Sequence, residues 1–185
     1  MRKINVFETV SLDGYFTDEK SDMSWAHKRD EEWTAFSSSN AGGDAELLFG
    51  RVTYEMMAAF WPSPQAAQTL PEVAKGMNRM RKYAISRTLT NVGWQGTTLL
   101  KGDLISEVQR LKEQSGPDLL ILGSGSIVSQ LTEKRLIDHY QIVVSAIVLG
   151  RGRTLFETVK DKLPLKLTST RQFKNGNVVL TYDPA

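Results

Sequence analysis

Hydrophobic and polar positions along the chain fall into short apolar runs, most followed by a polar or glycine-bearing turn and then by a stretch with helical spacing. The first run holds Ile4, Val6 and Val10 in moderate alternation with Phe7 between them, the pattern of a strand buried on both faces. It ends in Ser11-Leu12-Asp13-Gly14-Tyr15, where Asp-Gly marks a turn, and the stretch to about Trp25 is polar and loop-like. Asp30 to Ser39 reads as a helix with Trp33 and Phe36 on one face, closed by the turn residues Ser37 to Gly43.

Leu47-Leu48-Phe49 is a second short run, and a helix opens from its end at Gly50. Val52, Met56 and Phe60 share one face of that helix at i, i+4 and i+8, and Pro62 stops it. Pro71 to Met80 is a further helix with proline in its first turn. Lys82 to Ser86 and Thr97 to Leu100 read as strands. Asp103 caps an amphipathic helix that turns Leu104, Val108 and Leu111 inward and ends at Gly116-Pro117. Leu119 to Leu122 is a buried strand, followed by Gly123-Ser124-Gly125-Ser126 and a helix carrying Ile127, Val128 and Leu131. Asp138 to Leu149 is a long strand, Gly150 to Gly152 a turn, and Leu165 to Gln172 with Val178 to Asp183 a hairpin about Asn175-Gly176. Strands alternate with helices for most of the chain and pair antiparallel at its end. The fold class is therefore α/β: one domain over residues 1–185, with a mixed, mostly parallel sheet and helices on both faces.

Composition narrows the functional classes. With 185 residues, 41% apolar and 24% charged, the chain suits one globular core, and a net charge of +2 gives no ground for nucleic acid or a membrane surface. No apolar run approaches the roughly 20 residues that span a bilayer, and the start has no signal-peptide pattern, so a cytoplasmic protein is expected. The absence of cysteine removes disulfides, thiolate metal ligands and a Cys nucleophile. His27 and His139 are too isolated for a metal site, and Ser124 and Ser126 have no base partner for hydrolysis.

The stretch Asp118 to Leu136 carries the clearest chemistry. Strand, glycine turn and helix in that order put free N–H groups and the positive end of a helix dipole at the carboxyl edge of a sheet, where phosphate binds well. Glycines at 123 and 125 let a diphosphate approach the backbone. They equally serve a turn that needs φ > 0 and nothing more. The run is not a full Rossmann fingerprint, since Val128 stands where the third glycine would be. The same strand–glycine–helix order recurs at Leu47 to Glu55, and two such turns in one sheet can line one cleft.

Taken together, several stretches resemble the dihydrofolate reductase fold, and more closely the bacterial reductases related to the C-terminal reductase domain of the bifunctional riboflavin-synthesis enzyme. The residues that carry the resemblance are Ser11 to Gly14, Leu48 to Glu55, Ala84 to Thr88, Leu122 to Ser126 and Leu149 to Phe156, in order over nearly the whole chain. It implies a three-layer sandwich and an NADPH site. Gly50, Arg51 and Thr53 would meet the cofactor diphosphate, Ser86 and Arg87 the adenosine 2′-phosphate, and Gly123, Ser124, Gly125 and Ser126 would cover the diphosphate from the other side. It also implies a homodimer, built on the C-terminal strands and the run Ile142 to Leu149.

The resemblance names two catalytic candidates. Met23-Ser24-Trp25, Asp30 and Trp33 are similar in type and spacing to a folate reductase segment whose carboxylate bonds the pterin, which would make Asp30 the substrate carboxylate. Asp30 is equally suited to the acidic first turn of an exposed helix. Asp13 would sit beside the nicotinamide end, or be the Asp of an Asp-Gly turn that bonds its own backbone. The expected activity is NADPH-dependent reduction of a small heterocycle, pterin or pyrimidine-like. The alternatives are reduction of 5-amino-6-(5-phosphoribosylamino)uracil, weakened because no His and Cys zinc-deaminase ligand set precedes this chain, and a nucleotide-binding module without turnover.

Overall fold

The computed structural model describes residues 1–27, 30–41 and 43–185. The strands are β1 (Ile4–Ser11), β2 (Tyr15–Thr17), β3 (Glu46–Gly50), β4 (Lys82–Ile85), β5 (Thr97–Leu100), β6 (Leu119–Leu122), β7 (His139–Ser145), β8 (Arg153–Thr154), β9 (Leu165–Gln172) and β10 (Val178–Pro184). The helices are α1 (Glu31–Ala41), α2 (Arg51–Phe60), α3 (Pro64–Thr69), α4 (Pro71–Arg79), α5 (Leu104–Glu113) and α6 (Gly125–Glu133). Eight strands form one sheet in the order β5-β4-β3-β6-β1-β7-β10-β9. β5 through β7 run parallel, and β10 and β9 return antiparallel at one edge. The mixed sheet and terminal hairpin are those read from the sequence.

Alternation along the strands divides the core between the faces. Ile4, Val6 and Val10 of β1, Leu48 of β3 and Ile121 of β6 pack with Val108 and Leu111 of α5 and Ile127, Val128 and Leu131 of α6. Leu47 and Phe49 of β3 point to the opposite face and meet Tyr54 of α2 and Val73 and Met77 of α4. Phe7 faces that side too, where α1 lays Trp33 and Phe36 over Phe173 and the antiparallel edge. At the other end of the strands Arg2 and Glu46 form a buried ion pair, and Tyr83 donates its hydroxyl to the same Glu46 oxygen at 2.9 Å.

Several sequence expectations are corrected. The apolar stripe read along α2 is not its buried face: Val52 is 66% exposed and Met56 53%, while Thr53 and Tyr54 are buried. The Gly50 junction sets the helix phase, and Tyr54 is held by the Trp94 N–H that donates to its hydroxyl. Asn40 and Ala41 are helical rather than a turn, because α1 runs two residues past the expected end at Ser39; Gly42, the next residue of the expected turn, lies outside the described residues, as do Lys28 and Arg29 before α1. The strand expected over 138–149 stops at Ser145, where the chain leaves the sheet and the Ile147 carbonyl accepts from the Leu12 N–H. Helix α3 and the small β2–β8 sheet were not legible as elements.

Candidate functional site

β3 and β6 are parallel neighbours, so the turns that follow them stand side by side at the carboxyl edge of the sheet. The Gly50 N–H donates to Ser124 Oγ at 2.9 Å, tying the start of α2 to the start of α6. Neither Gly50 nor Ser124 caps its own helix with a side-chain bond, so the first turns of both helices start at the same edge without a side-chain cap. Two positive dipole ends therefore converge there. The turn is strained: Gly123 has φ +74°, and Ser124, which has a Cβ, also adopts the left-handed region at φ 70°, ψ 59°. Such a conformation costs on the order of 1 kcal/mol and tends to persist at functional turns.

A cavity of about 400 Å³ opens beside this junction, lined by Gly50, Arg51, Ser86, Arg87 and Ser126 from the residues read in the sequence. Lys101, Gly102, Asp103 and Gln130 also line it and were missed. Their signal was present, since Lys101-Gly102-Asp103 repeats the strand–glycine–helix order after β5. Arg51 is half-exposed and bonds Glu55 one turn on at 2.9 Å. Arg87 is exposed, close enough to Asp103 to help lower that carboxyl, whose main stabiliser is the Ser106 N–H it caps. Ser86 is buried, and its hydroxyl accepts from the N–H groups of Thr88 and Leu89, so it shapes the turn that carries Arg87.

The other predicted residues, Thr53, Gly123, Ser124 and Gly125, do not line this cavity. A Cβ on Gly123 would lie 3.3 Å from the Thr53 methyl, and one on Gly125 would lie 2.4 Å from Phe16 Cζ. Gly125 is thus required by packing against the Phe16 ring, whatever binds above it. Beneath Gly123 lies a group that sequence reading passed over. Glu8 points inward from β1 with 3% of its surface exposed; Oε1 accepts from the Thr9 N–H at 3.0 Å, and Oε2 has no partner among the described residues. Burial pushes its carboxyl up to about 7, against the opposing pull of that N–H. A charged residue at an inward position of an alternating strand was the available signal.

The two catalytic candidates are placed elsewhere and otherwise engaged. Asp13 is exposed; its oxygens accept from the Ser11 hydroxyl (2.6 Å) and the N–H groups of Leu149 (3.1 Å) and Gly150 (2.7 Å). The Ser11 hydroxyl, more than those N–H groups, holds its carboxyl down at about 2, so Asp13 is an acceptor only and clamps two loops together. Asp30 caps α1 by accepting from the Trp33 N–H at 2.7 Å. It does not line the second cavity, about 300 Å³ between α1, α4 and the sheet, whose walls include Phe7, Trp61, Met77 and Leu122 with Asn5, Asn40 and Gln141. Among the described residues no group of His, Cys, Asp or Glu is arranged to hold a metal, and no helix is long and apolar enough to cross a membrane.

Comparison with known proteins agrees with this architecture. The uncharacterized protein YyaP of Bacillus subtilis (strain 168) is 27% identical over 182 residues, 98% of this chain and 94% of YyaP. Among solved structures, the Thermotoga maritima diaminohydroxyphosphoribosylaminopyrimidine deaminase/5-amino-6-(5-phosphoribosylamino)uracil reductase superposes with a TM-score of 0.70 at 15% identity, covering 100% of this chain and 57% of that one. Dihydrofolate reductase from Enterococcus faecalis, complexed with NADP(H), superposes with a TM-score of 0.65 at 12% identity over 98% of this chain and 96% of that one. The fold is that of dihydrofolate reductase. The model of the RibD C-terminal domain matches residues 2–179, and the chain belongs to that family.

Proposed function

We propose that the protein is an NADPH-dependent reductase of a small heterocycle. The observation that carries this reading is the convergence of the α2 and α6 N-termini with Arg51, Arg87 and Lys101 on one cavity at the carboxyl edge of the sheet. Uncapped N–H groups and three cations together fit a dinucleotide's diphosphate and an adenosine phosphate. The NADP(H) complex of the E. faecalis enzyme and the reductase activity named for the T. maritima protein support the same reading. When bound, a reduced nicotinamide supplies the hydride.

The second cavity supports a heterocyclic substrate. Leu122, the residue before Gly123, lines it, so it reaches the strand ends that bear the anion cleft. Its apolar walls suit a flat ring, and the amides of Asn5, Asn40 and Gln141 offer both donors and acceptors to ring N–H and C=O groups. No Lys or Arg is among its described lining residues, which favours a phosphate-free ring over a ribosylaminopyrimidine phosphate. The homodimer implied by the family resemblance belongs to the same proposal. It is supported by β9, an edge strand paired on one side only, with all eight residues exposed.

The test is an NADPH titration followed by tryptophan fluorescence, with NADH alongside, then NADPH oxidation in the presence of dihydropterins and aminopyrimidines. Binding of NADPH in preference to NADH, with turnover on one of these rings, is the expected result. Binding of neither nucleotide overturns the reading.

A further inference from the structure

We propose that the cleft takes up its dinucleotide together with a proton, and that Glu8 holds it. The inference rests on the cofactor reading above and adds a residue to that site. Its basis is geometric. Glu8 Oε2 is buried without a partner, and it lies 3.8 Å from the point where a Cβ on Gly123 would stand. It is therefore aimed at the left-handed turn from which α6 starts. Thr53 of α2 closes the same spot, its methyl 3.3 Å and its hydroxyl 3.8 Å from that point. A buried carboxyl with a free oxygen costs stability, and here it stands under the turn that receives the anion.

The charge state of Glu8 decides what the turn offers. As the neutral acid it adds no charge and leaves the helix dipoles and the cations unopposed. As a carboxylate it would set a negative charge beneath the Gly123 turn, against the two helix N-termini that would hold a ligand diphosphate. Binding therefore favours the protonated form, and by linkage protonation favours binding. Burial already brings the free carboxyl to about 7, so the exchange falls near neutral pH.

Among the described residues no neighbouring ionisable group contributes to the Glu8 shift. On α2 the charged residues are Arg51 and Glu55, both exposed and bonded to each other. Glu133 lies at the far end of α6, and β6 carries no titratable side chain. On β7, His139 and Tyr140 pair with Asn5 and Val6 at the opposite end of the strand from the turn. On the small sheet, Tyr15 flanks Phe16, and Arg153 lies over the Phe16 ring at 5.5 Å. Asp13 stays ionised throughout this range. None of these contributes to the Glu8 shift, whose causes are burial and the Thr9 N–H.

The experiment is NADPH titration of the wild type and of Glu8→Gln from pH 6.5 to 9, with calorimetry in two buffers of different ionisation enthalpy. The wild type is expected to lose affinity as pH rises through 7, approaching about tenfold per pH unit, and to take up a proton on binding at pH 7.5. Glu8→Gln, neutral and of the same shape, is expected to bind NADPH with no such slope and no such uptake. The 2′-phosphate of NADPH also titrates, but equally in both proteins. Parallel pH profiles in the two proteins, or no proton uptake by the wild type, would overturn the assignment while leaving the cofactor reading intact. Absence of NADPH binding at every pH would instead sink the cofactor reading and this inference with it.

Discussion

Asp13 and Gly150 meet across 137 positions of sequence, the Gly150 N–H donating to Asp13 Oδ2 at 2.7 Å. With the Leu149 N–H on the other oxygen, one carboxylate joins the β1–β2 turn to the segment after β7. Leu12 and Val148, 67% and 66% exposed, ride on the two joined loops. Asp13→Asn replaces an acceptor by a donor at one of these bonds. Limited proteolysis over 146–152 is expected to become several-fold faster, with the sheet intact by circular dichroism. Because the carboxyl stays ionised down to about 2, this protection should persist in the wild type to about pH 3.

Glu8 makes a separate prediction about stability. Its folded pKa, about 7, lies above the ordinary value of 4.5, so the folded state holds the proton more tightly than the unfolded state does. Its contribution is then most favourable below pH 4.5, declines as pH rises to about 7, and stays low above that. Glu8→Gln removes this penalty and is expected to stabilise the protein by about 3 kcal/mol at pH 8. The gain should shrink towards zero at pH 4.5. Urea melts of both proteins at the two pH values measure it; equal stability at pH 8 would show that burial does not raise the Glu8 carboxyl.

The elements were legible where hydrophobic period and punctuation agreed. Leu119 to Leu122 between Gly116-Pro117 and Gly123, and the Asn175-Gly176 hairpin, are read directly from local chemistry. The rotation of α2 was not, because Val52-Met56-Phe60 and Tyr54-Met57-Ala58-Trp61 are both apolar stripes. Only the junction with β3 chooses between them. At the site, Gly50, Arg51 and Ser126 were legible from strand-to-helix turns, while Arg87, in the loop between β4 and β5, came from the family resemblance. Lys101 escaped because a lysine in a turn reads as solvated charge until β5 is placed beside β4. Asp30 and Asp13 were read by their type, while the bonds they make, a helix cap and a loop clamp, depend on which N–H groups the fold brings to them.

Gly125 separates packing from ligand binding. Its Cβ would meet the buried Phe16 ring at 2.4 Å, so Gly125→Ala forces one of the two to shift and is expected to cost about 1–3 kcal/mol. Combining it with Phe16→Leu should recover much of the loss in a thermal melt, because the smaller side chain vacates the space. If the double variant is no more stable than Gly125→Ala alone, the ring is not what demands the glycine.

The β9 edge gives the dimer its test. Leu165 and Leu167, 38% and 49% exposed, sit on a strand whose outer hydrogen-bonding edge is unpaired. Light scattering is expected to report a dimer for the wild type and a monomer for Leu167→Lys, since edge lysines block strand pairing. A wild-type monomer at all concentrations would remove the dimer from the proposed function.

Arg87 and Lys101 line the same cavity, yet they should contribute differently to its selectivity. Arg87 follows Ser86, whose hydroxyl holds the backbone of the turn, and its guanidinium brings planar donors suited to a terminal phosphate. Lys101 follows β5 on a flexible stem and acts as a point charge. Arg87→Ala is therefore expected to weaken NADPH about tenfold and leave NADH nearly unchanged, the loss of one exposed charge-assisted contact. Arg87→Lys should restore only part of this, because an ammonium lacks the bidentate geometry. Lys101→Ala should weaken both nucleotides by a smaller and similar factor, and its effect should fade first as salt is raised. Titrations of the three variants with both nucleotides at low and high salt decide the matter; equal losses for NADPH and NADH in Arg87→Ala would mean that the arginine reads the diphosphate, and that the 2′-phosphate is met elsewhere.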